Sequence, residues 1–280
     1  MYTSARNHIL EYFGSTHAAF LHARGEAATA LLLAEINCQP GESILEIGTG
    51  TGATLVKLAS RYKTLQLYGT DVSEKMLAKA GSRLAFCGLS GRVQLMAMEE
   101  PDELPFADRS FDTVYAESVL AIQEGEDLPA MLREIRRVLR PGGKLVMNET
   151  VWLPDVSGEE IRKINAFCEE RFGIIQSNAR YPYPGDWKRL LESSGFKLEK
   201  MTGLSGLAGR RVMPSNLCEV RNAAFSAWGK IRRIFSPGLR SAADGYRKDA
   251  HRLTPDKPVM EGWLMVGRAE PDQVSLPNLS

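Results

Sequence analysis

At 280 residues with 44% apolar side chains, the chain is long enough for one large α/β domain or two small ones around a sizeable core. Its 35 Lys and Arg against 34 Asp and Glu leave a net charge of +1, which removes any global electrostatic reason to bind nucleic acid or a membrane surface. The four cysteines, Cys38, Cys87, Cys168 and Cys218, are far apart and form no C-x-x-C pair, so neither a structural zinc site nor a disulfide framework is expected, and a cytoplasmic, reducing location fits best.

The N-terminal stretch is polar throughout and lacks the apolar core and cleavage site of a signal peptide. No run approaches the roughly 18 apolar residues of a membrane span. Residues 5–36 read as helical, with breaks at Gly14 and Gly25, and form an expected lid over residues 1–36, ahead of a main domain at 37–280. From residue 43 the pattern changes to short apolar runs alternating with amphipathic stretches. "SILEIG", "LQLYGTD", "VQLMAM", "FDTVYAES" and "GKLVMNE" read as strands, and "GATLVKLASRY", "SEKMLAKAGSRLAFCG" and "LPAMLREIRRVLR" as helices. "FKLEKMTGL" and "VMEGWLMVGRA" supply two final strands, and a helix is expected to start at Asp186. The fold class is α/β: a doubly wound, mostly parallel seven-stranded sheet, because parallel strands need crossover helices.

Two segments exceed what the sheet needs and read as helical cap insertions, at about residues 154–185 and 205–258. The second is strongly basic, including "KIRR" and the pair Arg210 and Arg211. It is either a solvated helical face or a rim that attracts an anionic acceptor.

"GTGTGA", Gly48 to Ala53, follows the first strand and satisfies both a G-x-G-x-G and a G-x-G-x-x-A pattern, so the glycines alone fit S-adenosylmethionine or NAD. Either ligand needs glycine there, because it must approach the backbone where a side chain would collide. Asp71 ends the second strand, where a carboxylate can accept from ribose hydroxyls. Three further features favour S-adenosylmethionine, the first being Glu46 in the approach to the loop. An anion there suits an α-ammonium group and would repel a pyrophosphate. Glu100 after the third strand can accept from an adenine amino group, and "RPGG" joins a basic helix to the fifth strand.

Together, "ILEIGTGTG", "LYGTDVSEKMLAKA", "LPFADRSFDTVYAESVL" and "LREIRRVLRPGGKLVM" resemble the successive motifs of class I S-adenosylmethionine-dependent methyltransferases, specifically the small-molecule branch with ubiquinone-biosynthesis and sterol-type enzymes. The resemblance covers about residues 40–150 and implies the Rossmann-like methyltransferase fold. It sets Glu46, Gly48, Gly50 and Gly52 around the methionine part of S-adenosylmethionine, Asp71 on the ribose, Val72 on the adenine, and Glu100 at the adenine amino group with Pro101 beside it; Thr49 and Glu99 join the expected cofactor-binding set. The family usually has Asp at position 100, so Glu100 is a conservative departure. Met76 reads as core.

Methyl transfer demands in-line alignment in a site with little water, and an alcohol or carbon acceptor must also lose a proton. Glu117, at the end of the fourth strand, resembles the acid found there in sterol-type carbon methyltransferases and is a candidate base or cation-stabilising carboxylate, also adjoining the cofactor. His17 and His22 in the lid are the other proton-accepting candidates. Tyr12 could cover the cofactor, and Tyr181, Tyr183 and Trp187 could line the acceptor pocket. No N-P-P-Y or D-P-P-Y motif follows the fourth strand, which disfavours nucleic-acid methylation; no carboxylate cluster supports a metal, and the cysteine contexts do not match arsenite methylation. The partner is therefore a small-molecule acceptor, methylated at carbon or oxygen or, close behind, nitrogen, by a monomer or homodimer. An NAD-dependent oxidoreductase and a catalytically silent cofactor-binding module stay as alternatives.

Overall fold

The computed structural model describes residues 8–20, 22, 24–100, 103–207, 210, 212–252 and 257–271. Helices α1 (His8–Ser15) and α2 (Gly25–Ile36) precede strand β1 (Ser43–Ile47). Alternation follows with α3 (Ala53–Arg61), β2 (Gln66–Asp71), α4 (Glu74–Phe86), β3 (Val93–Ala97), β4 (Phe111–Glu117), α5 (Asp127–Val138) and β5 (Leu139–Trp152). The chain then forms α6 (Gly158–Phe172), α7 (Pro184–Ser193), β6 (Phe196–Gly203), α8 (Leu217–Phe235), α9 (Pro237–Arg252) and β7 (Met260–Ala269).

The seven strands lie in the order β3-β2-β1-β4-β5-β7-β6, with β7 antiparallel to both neighbours. All five residues of β1 are buried, as a central parallel strand covered on both faces requires. Alternate side chains feed two cores. Leu45, Ile47, Val114, Ala116, Leu145 and Met147 join α5 and α7 on one face, while Ile44, Tyr115 and Val146 join α2 and α3 on the other. The strand order reverses between β1 and β4, and a cleft opens there at the carboxyl ends of parallel strands.

The expected helix start at Asp186 lies two residues late. Pro184 begins α7, where its fixed φ and missing N–H cost nothing, and Asp186 instead accepts a 3.0 Å bond from the Tyr183 N–H that precedes the helix. The two stretches read as insertions carry α6, and α8 with α9.

Candidate active site

The parallel registers that align Glu46 with Gly69 and Ile47 with Ala116 bring three carboxylates to one edge of the sheet: Glu46, Asp71 and Glu117. All three border one cavity of about 1610 Å³. Its floor is the glycine loop and the ends of β1, β2 and β4; α1, residues 18–20 and His22, the C-terminal end of α6, and α8–α9 form its walls and roof. Volumes of about 300–1,000 Å³ are usual for one ligand, so this space admits a cofactor and an acceptor together.

Each carboxylate has a different environment. Asp71 accepts from the Gly50 N–H and the Ser73 N–H, both at 2.8 Å. Burial raises its pKa while those two donors oppose the shift. Glu117 is buried and saturated: Oε1 accepts from the Thr54 hydroxyl at 2.8 Å, and Oε2 from the Thr29 hydroxyl at 2.8 Å, with His22 Nε2 at 3.0 Å. Burial alone would raise its pKa, but His22 and the hydroxyl donors hold it below the usual carboxylate range. Glu46 has no such set of donors. Burial first, then the nearby Glu117, pushes its pKa well above the ordinary value. The Thr49 and Tyr115 hydroxyls bear on its carboxyl, yet Oε2 lacks a hydrogen-bond partner, as do both hydroxyls themselves.

A buried acceptor left unsatisfied among acids calls for a cation with N–H donors. The glycine loop beside it needs its glycines: a Cβ on Gly48, at φ +68°, would lie 2.2 Å from Val119 Cγ2, and one on Gly50, at φ +53°, would project into space where its nearest neighbour is the Gly48 carbonyl at 3.9 Å. Gly50 and Gly52 also have positive φ. These features fit the amino-acid end of S-adenosylmethionine, with Asp71 and Val72 along the same cavity wall for the nucleoside.

The sequence-derived candidates separate into two groups. Glu46, Gly48, Thr49, Gly50, Asp71, Val72, Glu117, Tyr12 and His22 border the cavity; Met76 is buried, as expected, and borders it as well. The Tyr12 ring stacks 5.1 Å from that of Tyr246, joining α1 to α9 across the roof. Gly52 supports the loop from behind, its Cα face against Ala80 of α4.

His17, Glu99, Glu100, Tyr181, Tyr183 and Trp187 do not border the cavity. His17 is turned away onto Phe225, ring centroids 4.5 Å apart, because left-handed backbone at His17 and Phe20 reverses the chain between the two histidines. Burial, then Lys79, Arg232 and Arg83, lower its pKa to about 4. Glu99 and Glu100 are exposed beyond β3, and Met98 is the residue that reaches the cavity; Pro101 lies outside the described residues. Trp187 is fully buried between α7 and the sheet, Tyr181 packs on the same core, and the Tyr183 hydroxyl donates to the Val156 carbonyl at 2.8 Å.

Several site residues escaped the sequence reading. Thr29 and Thr54 hold Glu117, and Asn148, paired with Glu117 in the β4–β5 register, lies 2.8 Å from His22 Nδ1 through its amide nitrogen. Glu149 accepts from the N–H groups of Val119, Leu120 and Ala121 and so fixes the loop after β4 that lines the cavity. Burial raises its pKa to about 7 against those donors. The adjacent polar pair "NE" within a buried, otherwise apolar run was the available signal. Arg83, fully buried on α4, donates to the Thr51 carbonyl, the His17 carbonyl, Asn222 Oδ1 and the Ser226 hydroxyl, and its guanidinium lies 4.8 Å from the Phe225 ring centre.

Comparison with known proteins agrees with this geometry. Residues 44–143 match the family model described as a methyltransferase domain. The chain is 30% identical to the O-methyltransferase rstn1 of Aspergillus nomiae, over 66% of this chain and 79% of that protein. It is 34% identical to the ubiquinone/menaquinone biosynthesis C-methyltransferase UbiE of Cupriavidus metallidurans, over 59% of this chain and 71% of that one. Of the first three curated relatives it matches, the chain spans 62%, 79% and 49% of their own length. A solved structure titled as a putative sarcosine dimethylglycine methyltransferase from Galdieria sulphuraria shares the fold, with TM-score 0.63 at 14% identity over 87% of this chain and 85% of that one. With a glycine cradle beside a cation-seeking carboxylate at the sheet's switch point, and relatives that span most of its length, the chain belongs to the class I S-adenosylmethionine-dependent methyltransferases of the small-molecule branch.

Proposed function

We propose that the protein methylates an oxygen or carbon atom of a small, partly apolar acceptor, with His22 receiving the proton and Glu117 orienting it. The observation that carries this reading is the hydrogen-bonded chain Glu117–His22–Asn148 bordering a cavity that continues from the glycine loop into an apolar chamber. Phe13, Phe20, Ile122, Phe172, Ile175 and Met260 line that chamber and support an acceptor with apolar surface. The relatives' names, one an O-methyltransferase and one a C-methyltransferase, support the same two atoms.

The cofactor supplies an electrophilic methyl group on a sulfonium. The chain's residues do the rest. Both oxygens of Glu117 are already bonded, and its lowered pKa keeps it anionic, so it acts as the fixed acceptor for His22 Nε2–H rather than as the base. That leaves Nδ1 as the basic nitrogen. In the neutral ring, Nδ1 accepts from the Asn148 amide N–H. For the transfer the Asn148 amide turns off Nδ1, freeing its lone pair for the acceptor's proton, and then presents Oδ1, which is buried without a partner in the present orientation, to the new Nδ1–H. The pair can therefore accommodate either protonation state.

The test is single-turnover kinetics with labelled cofactor on a panel of phenols, enolisable carbonyls and amines. His22→Gln is expected to lower turnover of the best oxygen or carbon acceptor by about 10²–10⁴-fold, with binding of S-adenosylhomocysteine unchanged. Turnover within threefold of wild type would remove His22 as the base and favour a neutral amine acceptor. Failure of wild type to bind S-adenosylhomocysteine would instead count against the cofactor site itself.

A further inference from the structure

The basic insertion holds a feature that the cavity does not use. On α8, Leu217, Val220, Ala224, Trp228, Ile231 and Phe235 recur every three to four residues. At 100° per residue they share an arc of about 80°. They lie opposite the buried face, which carries Glu219, Asn222, Phe225 and Gly229. Leu217 is 64%, Trp228 58% and Phe235 79% exposed. The helix is apolar on its outer side, the reverse of a helix that meets only water, and Trp228 and Phe235 alone present on the order of 250 Å².

Charge surrounds this stripe. Arg221 and Arg232 flank it on one side and Lys230 on the other. Residues 210–252 carry ten Lys and Arg against three Asp and Glu, a net +7 in a chain of net +1. Of the three acids, Glu219 is turned inward onto Lys57 and Arg61, and Asp244 pairs with Arg247. Of the cations, Arg233, Arg240 and Arg247 border the cavity and Arg232 lies 3.2 Å from His17 Nε2, which leaves Arg221 and Lys230 as the exposed charges that accompany the stripe on α8.

We propose that the outer face of α8 docks the protein on an anionic lipid surface. The stripe enters the headgroup boundary and the flanking Arg and Lys meet lipid phosphates, the arrangement of an interfacial amphipathic helix. No helix among the described residues is long and apolar enough to cross a membrane, so the contact is peripheral. Arg233, Ile234 and Arg240, on the same pair of helices, border the cavity, which brings its roof to that surface. A second copy of the chain fits less well. Two-fold antiparallel pairing about the stripe's centre sets Arg221 of one copy against Arg232 of the other, and parallel pairing sets both against Lys230; like charges meet in either arrangement.

The test is sedimentation of the full chain with phosphatidylcholine vesicles, with and without about one third phosphatidylglycerol, and a salt titration alongside. Binding is expected only to the anionic vesicles, weakening as salt rises. Trp228→Glu is expected to weaken it at least tenfold, with an unchanged melting curve as the folding control. Arg221→Glu, on the exposed flank, provides a second variant and is expected to cost about tenfold. Absence of binding to anionic vesicles, equal binding to neutral ones, or full retention in both variants would overturn the proposal. So would a wild-type dimer that Trp228→Glu converts to a monomer without any vesicle binding, which would assign the stripe to self-association.

Discussion

Glu46 makes cofactor binding sensitive to protons in a direction that can be calculated. In the free protein its carboxyl is pushed above its ordinary value of 4.5, first by burial and then by Glu117. It therefore keeps its proton to higher pH than an exposed glutamate. An α-ammonium group beside Oε2 favours the carboxylate, so binding expels a proton. Affinity for S-adenosylhomocysteine should rise with pH by up to about tenfold per unit between 4.5 and the raised value, and level off above it. In calorimetry the apparent heat should differ between phosphate and Tris by up to one proton's worth of buffer ionisation. Glu46→Gln keeps the shape and removes the charge. Losing one charge-assisted hydrogen bond costs about 1.5–3 kcal/mol, so affinity at high pH should fall about 10- to 150-fold. The buffer dependence should vanish in the same variant. Identical heats in the two buffers for wild type, together with an affinity in Glu46→Gln within twofold, would refute the assignment of Glu46 to the ammonium group.

Gly48→Ala combines a left-handed φ of +68° with a methyl 2.2 Å from Val119 Cγ2. The backbone strain is about 1–2 kcal/mol, and the clash displaces the loop after β4. Scanning calorimetry should show a lower melting temperature, S-adenosylhomocysteine binding should weaken at least tenfold, and Val119→Ala should restore only part of either. His17 predicts an acid-side loss of stability. Its folded pKa of about 4 lies below the ordinary 6.5, so the folded state binds fewer protons and its contribution is complete only above pH 6.5. That contribution, about 2 kcal/mol after allowance for solvent screening, should disappear as pH falls from 6.5 towards 4. Urea midpoints at pH 7 and pH 4.5 should differ less in His17→Leu than in wild type; equal differences would show that His17 does not titrate in this way.

The strands were readable because buried parallel strands leave short apolar runs, and the crossover helices between them leave amphipathic ones. Glu46, Asp71 and Glu117 were readable for a related reason: a polar residue ending an apolar run marks the carboxyl edge of the sheet. The sheet pairing that unites them is a long-range property. His17 and His22 show the limit, since two similar residues five positions apart take opposite roles once left-handed backbone turns the chain between them. Trp187 shows another. An aromatic residue after a Pro-rich loop suits a pocket or a core equally well, and only the packing of α7 on the sheet decides for the core. Thr29 sits in a helix whose apolar run, "AATALLL", gives no hint that one hydroxyl will meet a carboxylate 88 positions later.

Arg83 has a consequence for how this enzyme can diversify. One guanidinium joins the start of the roof at His17, the cofactor loop at Thr51 and α8 at Asn222, so changes on any of these three disturb the others. Helix α9 meets α1 and α6 through the Tyr246 ring, against Tyr12 and Phe172, while most of its side chains are exposed and several border the cavity. Acceptor preference can thus drift through the cavity-facing side chains of α9 other than Tyr246, and a library restricted to Arg240, Ala243 and Arg247 is expected to change which acceptors are methylated while leaving the methyl donor's seat intact.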